Sequence, residues 1–237
     1  MSSYGKVVIA GALVACHHPP SARERVLALL PAEASVVAAA DGSALAAWRR
    51  AVEVARPYAP AAFGCVIDAA LSGDAVALAH GESGTTIVIR SPRPVAPCPA
   101  LARVEADLYV ATLGDSTIEH GLGPRWNRAR DYLATAPIAL AADLGRRHVL
   151  AAADATSAWL SIDAADPDAA QRELATAIAR WQALGKKLAI TRHGSQVLVR
   201  ATALDPDEVA TLARDVLAQL DPVPVHAVPT FAPVRVH

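Results

Sequence analysis

Apolar positions fall into short runs separated by Gly, Pro, Asp and Ser, the punctuation of a chain built from many short strands and a few helices. Residues 35–40 read as a strand, and Asp41-Gly42-Ser43 as a turn that caps the next helix. In that helix Leu45, Trp48, Val52 and Ala55 recur at helical spacing until Pro57 and Pro60 end it. Three β segments follow, 64–70, 75–79 and 85–90. The turns Ser72-Gly73-Asp74 and Gly81-Glu82-Ser83-Gly84 join them into an antiparallel meander. Four prolines within 91–99 predict an exposed extended loop, since proline cannot donate to a sheet ladder. Alternation returns over 104–113 as a strand, 114–123 reads as a loop, and 125–134 as a helix. Residues 137–144 fit either a second helix or a strand.

Further on, 158–164 alternates as a strand, and Asp166-Pro167-Asp168 opens a helix with a side-chain cap and proline at its first position. Leu174, Ile178 and Trp181 form its inward stripe, and Gly185 ends it. Segments 187–192 and 196–202 make a hairpin across His193-Gly194-Ser195. Asp205-Pro206-Asp207-Glu208 then starts a last helix with Val209, Leu212, Ala213, Val216, Leu217 and Leu220 on one face. Pro222, Pro224, Pro229 and Pro233 mark an extended tail. Near the start, Ser21 and Glu24 have the spacing of a capping box for a short helix ending near Leu30.

The order strand, helix, strands, helix occurs over 35–134 and again over 158–220, with His-Gly at a hairpin tip each time (His80-Gly81, His193-Gly194). The expected fold is therefore α+β: two related units, 35–145 and 146–221, each an antiparallel sheet with helices packed on one face. A segment 16–34 with a tether and short helix precedes them, and the tail 222–237 follows.

Lys6, the apolar run 7–15 and Cys16 compose an export signal: a basic start, an apolar core of nine residues and small residues before a cleavage point. Nine residues are too few to span a bilayer, which takes about 20. Leu13-Val14-Ala15-Cys16 resembles the lipobox of bacterial lipoproteins. That resemblance implies removal of 1–15, diacylglycerol on the Cys16 thiol, an acylated new amino terminus, and a protein lipid-anchored in the bacterial cell envelope, facing the periplasm. Leu30-Pro31-Ala32 leading into a strand, an Asp and a helix is also similar to openings of uncharacterised bacterial envelope proteins.

Composition narrows the partners. Apolar residues make up 53% of the chain but aromatics only 4%, so the core is expected to be closely packed small side chains with Trp48, Trp126, Trp159 and Trp181 as its large pieces. A net charge of -1 and no basic run set nucleic acid aside. The expected partners are a membrane, through the lipid, and an envelope protein or ligand. With Cys16 lipidated, Cys65 and Cys98 are an even pair in an oxidising compartment, where a disulfide is expected.

Candidate chemistry is sparse. The adjacent His17 and His18 beside two prolines lack further ligands at metal spacing, the cysteines lack that of a zinc site, and no phosphate-binding glycine loop occurs, so neither metal nor cofactor is expected. The strand ending Gly114-Asp115-Ser116 resembles the nucleophile block of the GDSL, or SGNH, esterase family, which implies Ser116 as a nucleophile. That family's asparagine block and its Asp-x-x-His have no counterpart: the one asparagine, Asn127, falls in the expected helix 125–134, and Asp221 and His226 have the wrong spacing. The sequence thus favours a non-catalytic binding or scaffolding protein of the envelope, with a serine hydrolase using Ser116 as the alternative.

Overall fold

Both halves of the chain meet on one strand, β1 (Val36–Asp41), which pairs antiparallel with β2 (Ala75–Gly81) on one side and β6 (Ile138–Asp143) on the other. The computed structural model describes residues 19–49, 63–114, 121–154, 156–183 and 187–202, with Val52, Glu53, Arg56 and Glu208. Cys16, Ser116, the segment from Asp205 (Glu208 apart) and the proline-rich tail lie outside the described residues.

From β2 the sheet runs outward through β3 (Gly84–Arg90) and β5 (Leu108–Gly114) to the two-residue β4 (Ala102–Arg103). From β6 it continues through β7 (Arg147–Ala153), β8 (Ser157–Ala164) and β10 (Gln196–Thr202) to β9 (Lys187–His193). The protein is α+β, and its ten strands form one open sheet, antiparallel at every pairing. The two expected units thus share a sheet, and their similar element order hides different pairing. β1 pairs with the first strand of its hairpin, β2, whereas β8 pairs with the second, β10. β8 and β9 consequently run parallel on either side of β10, which requires the helical crossover between them.

Helices cover both faces rather than one. On the front face, carrying Val37 and Ala39, α1 (Ala22–Leu27) and α4 (Arg130–Thr135) bury Val26, Leu27 and Leu133 against β1, β2, β3, β5 and β6. On the back face α3 (Gly64–Ser72) packs on Ile89 and Ala111, and α5 (Pro167–Ala183) packs Leu174 and Ile178 on Ile162, Val197 and Val199. The reason is in the strands: Val37, Ala39, Ala75, Ala77 and Ala79 are buried on one side while Ile89 and Ala111 are buried on the other. The first half of the sheet therefore has two apolar faces.

Local signals explain the ends of elements. Ser21 accepts from the Glu24 amide at 3.1 Å while Glu24 accepts from the Ser21 amide at 2.7 Å, the reciprocal cap expected for α1. Asp166 accepts from the Ala169 amide at 2.9 Å, and Pro167 opens α5. Asp41 precedes α2 (Gly42–Ala47) but makes no side-chain cap, because its carboxylate is engaged by Arg23.

Two further expectations change, and one open choice is resolved. Segment 64–70 is the helix α3, not a strand. Only Val66 and Ile67 are β-branched, the following Asp-Ala-Ala-Leu suits a helix, and Phe63, Val66 and Ala69 are buried at helical spacing. The strand expected from 104 starts at Leu108, because Glu105–Asp107 form a turn in which the Val104 amide bonds the Leu108 carbonyl at 3.0 Å. The open choice at 137–144 resolves as β6, and β7, unmarked in the sequence, pairs beside it.

Candidate functional site

Gly123-Pro124 turns the chain into a short 3-10 helix, Pro124–Trp126, that stands over the front face of β6, β7 and β8. Proline suits the start of such a turn, and the indole of Trp126 anchors it in the front core beside Ala129 and Leu133, only 3% exposed. Between this segment and the strands lies a half-open cleft of about 390 Å³, within the range of small-molecule sites.

The strand side of the cleft is set by register. Asp143, His148, Asp163, Gln196 and His193 are successive cross-strand partners over β6, β7, β8, β10 and β9, a polar row across the sheet. Within it His148 Nδ1 lies 3.6 Å from Asp143 Oδ1. The next row inward contains Ala141, Leu150, Ser161 and Leu198, so an apolar strip adjoins the polar one. Of these residues His148, Asp163, Gln196, Leu150 and Ser161 line the cleft, and Arg125, Asn127 and Arg128 line it from the segment above.

Several of these polar groups have no side-chain partner in the protein, and Arg125, Asn127, Arg128 and His148 are exposed. Arg23 donates to three carbonyls, Arg25 and Arg90 share Asp107, and Arg130 donates to the Leu122 carbonyl at 3.1 Å, whereas exposed arginines such as Arg93, Arg146 and Arg200 have no side-chain partner among the described residues. Among the described residues, no side-chain hydrogen bond or ion pair engages Arg125, Arg128, Ser161 or Asp163, although all four line one cleft. The indole Nε1 of Trp126, which also lines it, is buried with no partner. A buried donor left unpaired costs about 1–3 kcal/mol, and Trp48 Nε1, outside the cleft, is buried in the same way.

Ser116, Cys16, His17 and His18 fall outside the described residues, so the geometry bears on none of them. Cys65 of α3 and Cys98 of the loop after β3 are joined as a disulfide, Cα atoms 5.6 Å apart. Gly81 and Gly84 pair at the end of the β2–β3 hairpin, so Glu82 and Ser83 form the tight turn that the sequence predicts. Among the described residues no three His, Cys, Asp or Glu side chains are grouped to hold a metal ion, and no helix is long and apolar enough to cross a membrane.

Crystal forms I and III of TP0453 match the chain with TM-scores of 0.50 and 0.51 at 11% identity. They cover 80% of this chain and 96% and 97% of theirs. The fold resembles that of TP0453. No protein-family model matches the chain, and no curated protein matches it. At this identity the likeness to TP0453 concerns the fold alone.

The cleft was not legible in the sequence. Its two sides come from residues 124–129 and from strands reaching Gln196, and only the pairing of β7 with β8 and β8 with β10 assembles them. A signal existed nonetheless: Arg125 and Arg128 flank a tryptophan directly after Gly-Pro, a turn that presents charge around an apolar anchor.

Proposed function

We propose that this protein works outside the cytoplasm as a bacterial envelope protein, held to a membrane by lipid on Cys16, and that it acts by binding. The observation that carries the reading is the Cys65–Cys98 disulfide, because such bonds form and persist in oxidising compartments and are rare in the cytosol. The signal-like run ending in Cys16 supports the anchor, and the cleft with its unpaired polar groups supports binding.

Two measurements test it. Cys16→Ser should move the protein from the membrane to the soluble fraction, and thiol labelling of the protein as isolated should find Cys65 and Cys98 blocked until a reductant is added. An uncleaved chain recovered from cytosol with both thiols free would sink the reading. Ser116→Ala tests the alternative hydrolase: turnover of short acyl esters that disappears in this variant would replace binding by catalysis.

A further inference from the structure

The cleft on the front face holds opposite charges on its two sides that do not pair with each other. Arg125 and Arg128 come from the segment above, Asp163 from the strands below, and an apolar strip with Leu150 and Ala141 lies beside the carboxylate. Asp163 is half-buried and free to accept from a cation, and the exposed Arg125 and Arg128 are free to donate to an anion. A ligand that satisfies both sides must therefore carry both charges. We propose that the cleft binds a free α-amino acid with an apolar side chain. The ligand carboxylate is held by Arg125 and Arg128, its ammonium by Asp163, and its side chain lies on Leu150 and Ala141.

The proposal rests on the reading that this protein acts by binding, and names the ligand class. The volume agrees: about 390 Å³ admits an amino acid with ordered water, and is small for a folded peptide.

Calorimetric titration of the full-length chain with L-leucine, N-acetyl-leucine and leucinamide tests the assignment charge by charge. Leucine should bind, and each blocked derivative should bind at least about tenfold more weakly, the loss expected when one charge-assisted contact goes. Asp163→Asn should weaken leucine about tenfold and leave N-acetyl-leucine unchanged. Arg125→Gln with Arg128→Gln should weaken leucine and leave leucinamide unchanged. These side chains hold nothing else in place among the described residues, so circular dichroism should show the variants folded. Absence of leucine binding at roughly 10 mM, well above a millimolar dissociation constant, overturns the proposal, as does equal binding of all three compounds. In either case the Cys16→Ser fractionation still decides the envelope reading on its own.

Discussion

Arg23 Nη2 lies 2.8 Å from Asp41 Oδ1, with the arginine side chain only 3% exposed and the aspartate 45% exposed. The same guanidinium donates to the carbonyls of Leu133, Ala136 and Pro137, each at 3.0 Å. One side chain of α1 thus fastens the end of β1 to the end of α4 and the start of β6. Arg23→Met keeps the apolar stem but leaves these carbonyls without their donor, and should cost about 3 kcal/mol in urea unfolding. Arg23→Lys should recover only part of this, since an ammonium cannot span the same fork.

Acid should weaken the fold through Asp107. The Arg25 guanidinium, bonded at 2.7 and 2.8 Å, and then Arg90 at 2.9 Å hold the Asp107 carboxyl below the usual carboxylate range. A carboxyl whose folded pKa is depressed stabilises the protein above its unfolded value of about 4, and that contribution is lost as pH falls through the folded value. Melting temperature should accordingly drop below about pH 4, and Asp107→Asn should lower the neutral-pH melting temperature while flattening the acid slope. An unchanged slope in Asp107→Asn would assign the acid sensitivity elsewhere.

Reduction of Cys65–Cys98 frees a loop with a sequence separation of 33. In the chain-entropy model this removes about 3–4 kcal/mol. Denaturant midpoints with and without reductant should differ accordingly, and Cys65→Ser should behave like the reduced protein. The back-face cluster of Phe63, Val66 and Ile89 should loosen first, read as faster amide exchange in α3 than in α5.

Gly42 is needed for closeness. Its amide bonds the Asp74 carbonyl at 3.0 Å, and a Cβ added there would sit 1.9 Å from the Gly73 carbonyl oxygen. Gly42→Ala must push apart the join between β1 and the start of β2, and should lower stability by about 2–3 kcal/mol on thermal or urea unfolding. Stability equal to the parent would mean that the join at Gly73 yields freely.

What the sequence disclosed was local. The Ser21–Glu24 cap, the Asp166-Pro167 start of α5 and both His-Gly hairpins depend on neighbours within a few residues, and their chemistry is explicit. Alanine concealed the rest. Leu150 through Ala153 in β7 carry almost no periodic contrast, and α3 opens with Val66-Ile67 as a strand would. Pairing order is a further step removed: β10 rather than β9 sits beside β8 because of where α5 returns the chain, which no short pattern encodes. Each cleft residue is ordinary alone, and only the long-range register of β6, β7, β8 and β10 makes them a group.

An open sheet of ten strands has two rims, and each could recruit a strand from another copy. At one rim β4 offers just two residues. At the other, β9 carries Lys187, Arg192 and His193, all exposed. Truncation guards one end and exposed polar side chains the other, so edge-to-edge stacking of copies is disfavoured. Association with other molecules is left to the faces of the sheet.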